Sequence, residues 1–143
     1  QQILMGYVRA GGNVISQYNT SSGLLTNQLG PYDFSLSRTR VTVQGSPVQA
    51  DYNHPLLASP NQMKEEDFAG WVQERGLYFV KDIDERYDTP LIMNEPGESP
   101  TNGSLVYAKY GEGTFIYTGI SLFRQLPAGV TGATKLFVNM IEQ

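Results

Sequence analysis

The sequence contains no cysteine and one histidine, His54, among 143 residues. Without cysteine the chain forms no disulfide scaffold, no thiolate zinc site and no thiol nucleophile. A single histidine likewise excludes a metal site built from several imidazoles.

Basic residues and long apolar runs are also scarce. Ten Lys and Arg stand against 14 Asp and Glu, which gives a net charge of −4 and argues against a nucleic-acid-binding surface. No apolar run approaches the roughly 20 residues that a membrane-spanning helix needs. The 40% hydrophobic and 17% charged residues are typical of one globular domain covering 1–143.

Apolar periodicity predicts an α/β fold. Residues 1–10 have the spacing of a helix that Gly11 and Gly12 end, and 13–18 is a β-branched strand. An antiparallel hairpin is predicted at 104–118, with its turn at Gly111-Glu112-Gly113, and a C-terminal helix at 130–142. Gly132 weakens that helix unless it lets a neighbouring element approach. Further predicted elements are strands at 32–37 and 91–93, short strand pieces at 41–43 and 48–50 around a turn, and a short helix within 64–71.

The first helix leads directly into a strand, as in the second half of a β–α unit. This order predicts that the chain is the later part of a larger protein. A natural N-terminal helix is the alternative that the sequence leaves open.

His54, in Asn53-His54-Pro55-Leu56, is the candidate general base. A hydrolase would need a carboxylate beside it, from Glu65, Glu66, Asp67 or Glu74. The alternative is a structural histidine that bonds to a loop. The other acids fit neither a calcium loop nor a defined carboxylate pair, and Gly129–Lys135 lacks the lysine of a phosphate loop.

The segment 71–79 alternates aromatic and polar side chains and contains the one tryptophan. Trp71, Arg75 and Tyr78 are the residue types that stack on sugar rings or on a partner protein. The alternative is a core strand with a Glu74–Arg75 pair at its edge. Asn19 and Asn102 match the glycosylation pattern, which is common by chance.

Several phrases resemble a known family, among them Tyr7-Val8-Arg9-Ala10-Gly11-Gly12, Asn53-His54-Pro55-Leu56-Leu57 and Phe123-Arg124-Gln125-Leu126-Pro127. They look like the C-terminal region of LmbE/PIG-L family deacetylase-like proteins of Bacteroidetes. That region resembles a class I glutamine-amidotransferase-like (ThuA-like) domain, so the resemblance implies the later part of a flavodoxin-like layered fold. It also implies a periplasmic or extracellular setting.

The departures from the family patterns matter for function. The zinc motif His-Pro-Asp-Asp is absent, because Leu56 and Leu57 follow His54-Pro55, and the amidotransferase cysteine is missing. Neither activity is therefore carried over to these residues.

We accordingly expect a non-catalytic accessory domain of a deacetylase-like protein, without cofactor or metal, serving packing, oligomerisation or carbohydrate contact. The expected partners are an upstream deacetylase-like domain, an amino sugar or glycan, and a second copy of the chain. The alternatives are the hydrolase based on His54 and a dedicated sugar-binding module. The candidate binding residues are Asn19, His54, Trp71, Glu74, Arg75, Tyr78 and Arg124.

Overall fold

The computed structural model describes residues 2–17 and 29–143, which form a mixed α/β fold of small sheets. The helices are α1 (Gln2–Arg9), α2 (Pro55–Ala58), α3 (Leu122–Gln125) and α4 (Thr131–Ile141), with a 3-10 helix at Glu65–Phe68. The strands are β1 (Asn13–Gln17), β2 (Ser35–Val41), β3 (Val48–Ala50), β4 (Gly76–Lys81), β5 (Leu91–Met93), β6 (Leu105–Tyr110) and β7 (Gly113–Thr118).

The largest sheet has the strand order β1-β7-β6. β1 runs parallel to β7, with Asn13 opposite Thr114, and β6 and β7 form the antiparallel hairpin that the sequence predicts. β2 pairs with β4, and β3 with β5, both antiparallel. The amide of Leu77 donates to the carbonyl of Gly119 at 2.9 Å, so the start of β4 lies beside the end of β7.

Period-two alternation divides the core between the two faces of the three-stranded sheet. Along β7, Ile116 joins one apolar cluster, whereas its neighbours Phe115 and Tyr117 join the other. Leu136 of α4 packs in the first cluster, and Met5 of α1 packs against the second. The sheet therefore separates two helical sides.

Gly132 explains how α4 approaches the 3-10 helix. A Cβ atom at this position would lie 1.7 Å from the carbonyl oxygen of Asp67, which is a severe overlap. The glycine in the helix thus permits the close contact that the sequence left as one option, and it fixes the 3-10 helix against α4.

Two sequence predictions need correction. The strand predicted at 32–37 begins at Ser35 and continues to Val41. The possible core strand at 71–79 begins only at Gly76, since Gln73 adopts a left-handed backbone with φ of 64° that interrupts an extended chain.

No helix in the described ranges is long and apolar enough to cross a membrane.

Candidate functional site

The candidate residues fall into separate places. Trp71 and Arg75 line a surface cavity of about 880 Å³. Its walls come from the turn between β2 and β3 (44–48), the 3-10 helix with its flanks (64–66 and 68–71), and Arg75. The cavity therefore lies where the 3-10 helix, which α4 holds in place, faces the β2–β3 turn.

The Trp71 side chain is buried and forms part of the cavity wall. Its indole Nε1 donates to the carbonyl of Asp67 at 2.9 Å, and only 3% of the residue is exposed. The guanidinium of Arg75 lies over the indole ring, 5.4 Å from the centroid. A cation–π contact thus covers one indole face, and Trp71 does not form the open stacking surface that the sequence predicted.

Arg75 is a buried cation, with 4% of the residue exposed. Its Nε and Nη2 donate to the carbonyl of Ser46 at 3.2 and 2.8 Å, and its Nη1 donates to the carbonyl of Phe68. The side chain therefore links the β2–β3 turn to the 3-10 helix. Burial lowers the pKa of Arg75 to about 10, which leaves the guanidinium charged at neutral pH.

The predicted Glu74–Arg75 pair does not form. Glu74 instead accepts a hydrogen bond from Nε of Arg124 at 2.9 Å, and Gln125 Nε2 donates to the Glu74 backbone carbonyl at 3.1 Å. Glu74 therefore contacts α3, whereas the Arg75 side chain turns inward to the carbonyls of Ser46 and Phe68. No carboxylate forms a salt bridge with Arg75 anywhere in the described part of the chain.

Ser46 contributes an unusual buried group beside Arg75. The residue is 1% exposed, and its hydroxyl has no hydrogen-bond partner within residues 2–17 and 29–143. The side chains nearer to solvent carry both charges: Lys64, Glu65 and Glu66 are exposed. The cavity thus has a cationic inner wall and a rim of mixed charge.

Tyr78 does not line this cavity. Tyr78 lies in β4 with a φ of 61°, at a register shift between β2 and β4, and is absent from the cavity lining. Its carbonyl accepts a hydrogen bond from the Tyr117 hydroxyl at 2.7 Å. Asn19 lies outside the described residues.

His54 caps α2. Its Nδ1 accepts from the amide of Leu56 at 3.1 Å, and Nε2 lies 2.9 Å from Oδ2 of Asp88. Because Nδ1 accepts, Nε2 carries the proton and donates to the carboxylate. Tyr107 packs edge-on against the ring at 5.0 Å between centroids, and 8% of His54 is exposed.

The carboxylate beside His54 is therefore none of the four that the sequence suggested. Asp67 accepts from the Lys64 amide at 2.8 Å and pairs with Lys135 at 3.1 Å, while Glu74 pairs with Arg124. Asp88 lies 34 positions from His54 in sequence, and an isolated acid at that distance carries no motif.

The sequence also did not indicate Ser46 and Lys64, since a turn serine and a lysine beside three acids have no distinctive pattern.

No group of three or more His, Asp or Glu residues that could hold a metal ion occurs within the described ranges.

Comparison with known proteins identifies a structural neighbour. No protein-family model matches the chain, and no curated protein matches it. Cytoplasmic protein STM3548 from Salmonella typhimurium has a similar structure, with a TM-score of 0.53 at 17% sequence identity. The match covers 99% of this chain and 58% of the neighbour, so this chain spans little more than half of that protein's length. At this identity the likeness supports the fold alone.

Proposed function

We propose that this chain is a non-catalytic accessory domain of an LmbE/PIG-L-type protein, with the layering of the later part of a flavodoxin-like fold. In this proposal its roles are packing against the deacetylase-like domain of the same protein, oligomerisation or carbohydrate contact. A periplasmic or extracellular setting belongs to the same proposal. Two observations support this proposed fold. The three-stranded sheet has helices on both sides, and the structural neighbour that matches 99% of this chain is itself longer.

The observation that carries the non-catalytic role is the bonding of His54. A general base needs an unshared nitrogen lone pair that can accept a proton from water or from a nucleophile. In His54 the Nδ1 lone pair accepts the Leu56 amide, and the Nε2 proton is donated to Asp88. The imidazole therefore stabilises the start of α2, and its lone pair is already committed.

The packing role is supported by the apolar surface of α1. Ile3, Leu4 and Tyr7 are exposed, and they lie side by side on the helix next to buried Val8. The Tyr7 ring lies over Gly12 at the start of β1, which is the end strand of the three-stranded sheet among the described elements. Apolar side chains beside an edge strand are typical of a surface that another element covers.

Hydrolysis assays test the non-catalytic role. The purified chain is incubated with N-acetylglucosamine and with glutamine, and the release of acetate and ammonia is followed. We expect no release above the rate without protein, and the same result for His54→Asn, which keeps a capping side chain. Turnover by the chain that His54→Asn abolishes would contradict the proposal and favour a hydrolase based on His54 and Asp88.

Sedimentation or light scattering tests the packing role. If α1 contacts a second copy, Leu4→Glu should dissociate the oligomer. If it contacts the deacetylase-like domain, the chain should be monomeric alone and should bind that domain when it is added. A monomeric chain that does not bind the added domain would contradict packing through α1.

A further inference from the structure

We propose that the cavity beside Arg75 binds the carboxylate of an acidic monosaccharide, such as a uronic acid. This inference deepens the carbohydrate contact of the proposed function and rests on it. It names the chemical class of the ligand and the residue that recognises it.

Arg75 is a buried cation without an anionic partner among the described residues. A buried cation is stabilised when an anion lies against it, because burial removes the water that would otherwise solvate it. Arg75 is 4% exposed, yet its partners are two backbone carbonyls and the Trp71 ring, none of which carries a full negative charge. A ligand carboxylate would supply the missing anion.

The Arg75 guanidinium also retains hydrogen-bonding capacity. Arginine has five N–H donors. Three hydrogen bonds join Nε, Nη1 and Nη2 to Ser46 and Phe68, which leaves one N–H on each terminal nitrogen. Two N–H groups on adjacent nitrogens are the donor set that a carboxylate accepts in a bidentate pair.

The rest of the cavity has the size and the polar and apolar groups that a sugar ring needs. Its volume of about 880 Å³ is ample for one sugar ring. Pro47 and Val48 line the cavity and supply apolar surface that is not buried, and Lys64 adds a second cation. The buried Ser46 hydroxyl has no hydrogen-bond partner among the described residues. These groups are suited to the C–H faces and hydroxyls of a sugar whose acid group meets Arg75.

The rim limits the charge of that ligand. Glu65 and Glu66 are exposed carboxylates that line the same cavity. They repel a dianion such as a phosphate ester, whereas a single carboxylate placed at the inner wall keeps its distance from them. A sugar monocarboxylate therefore fits the charges better than a sugar phosphate.

Three hexoses of nearly equal size separate the possible interactions. The intact chain is titrated with D-glucuronate, D-glucose and D-glucosamine, which carry negative, zero and positive charge. The fluorescence of Trp71 reports binding without ambiguity, since the chain has one tryptophan. We expect glucuronate to change the fluorescence with a dissociation constant of about 1 mM, the affinity of a ligand with roughly a dozen heavy atoms. Glucose and glucosamine should bind at least about tenfold more weakly.

A cavity-filling variant identifies the location. A Cβ atom at Gly45 meets no other atom within 4 Å, and Gly45 lines the cavity, so Gly45→Phe should fill the space without disturbing the core. The matched control is Gly6→Phe in α1, where a Cβ atom also meets nothing within 4 Å and where no residue of the helix lines the cavity. Gly45→Phe should abolish the glucuronate response, and Gly6→Phe should leave it unchanged.

The remaining outcomes also decide the question. Equal binding of glucose, preferential binding of glucosamine, or no response to glucuronate at about 100 times the expected constant would overturn the proposal. A glucuronate response that survives Gly45→Phe would overturn the location. Each of these results leaves the non-catalytic role intact, because hydrolysis assays test that role separately.

Discussion

His54 and Arg75 are both buried polar side chains, but they differ in the hydrogen-bonding capacity that they retain. Each nitrogen of the His54 ring has a partner, one in the backbone of α2 and one in Asp88. Arg75 also holds the backbone together, yet two of its N–H groups and its whole charge remain without an anionic partner in the described residues.

The difference shows that residue type is a poor guide to a site. The lone histidine is the first residue that a sequence analysis selects as a candidate base, but the structure uses it as a helix cap. The sequence indicates Arg75 only as part of an aromatic segment. In the fold, its guanidinium is a buried positive charge on the wall of a cavity, and it has no anionic partner among the described residues. Counting donors and acceptors in the fold separates the two cases.

The largest expected effect is that of removing the Arg75 side chain. Arg75→Met should lower the free energy of unfolding by about 3 kcal/mol, because two buried carbonyls lose their donors. Chemical denaturation of the variant measures this loss. Arg75→Lys is the control that keeps the charge but not the planar set of donors, and it should recover part of the loss. A change below about 0.5 kcal/mol for Arg75→Met would show that Arg75 does not join the cavity walls.

Gly132→Ala should have the next largest effect, since it displaces the 3-10 helix that forms a wall of the cavity. The added Cβ would overlap the Asp67 carbonyl, at 1.7 Å, so we expect a loss of about 2 kcal/mol despite the better helix propensity of alanine. Thermal unfolding measures it, with Gly45→Ala as the control that meets no atom within 4 Å. Stabilisation by Gly132→Ala would contradict the close contact between α4 and the 3-10 helix.

The effect of His54 should be smaller and should depend on capping. His54→Ala removes the acceptor for the Leu56 amide and should cost about 1 kcal/mol of unfolding free energy. His54→Asn places another good N-cap side chain there and should cost only a few tenths of a kcal/mol. Equal losses in the two variants would show that His54 stabilises the fold by another route than the cap.

Local patterns predicted much of the fold but little of the site. The hairpin at 104–118 and the helix α4 follow from period-two and helical spacing of residues whose neighbours are close in sequence. The same local patterns gave a wrong prediction for the segment 71–75. Its alternation is typical of a strand, but Trp71 turns inward to the Asp67 carbonyl and Gln73 adopts a left-handed backbone.

The contacts of the site depend on tertiary structure that no local pattern encodes. His54 meets Asp88 across 34 residues, and Arg75 meets Ser46 across 29. The backbone carbonyls that hold Arg75 carry no sequence signal, because every residue has one.

The smallest expected effect is that of pH on sugar binding. Burial lowers the pKa of Arg75 to about 10, so the cationic form that attracts a carboxylate is present below this value and declines above it. Affinity for glucuronate should therefore vary little between about pH 6 and 9 and weaken as the pH passes 10. Affinity that rises through pH 10 would contradict binding by the protonated guanidinium.

The most direct test of the role of His54 as a helix cap is the tautomer of its imidazole ring in solution. A long-range ¹H–¹⁵N correlation spectrum of the imidazole is unambiguous here, since the chain has one histidine. We expect the Nε2–H tautomer, with Nδ1 unprotonated and accepting the hydrogen bond from the Leu56 amide. A ring protonated at Nδ1, or one that exchanges freely between the two forms, would contradict the assignment of His54 as a cap and restore it as a candidate base.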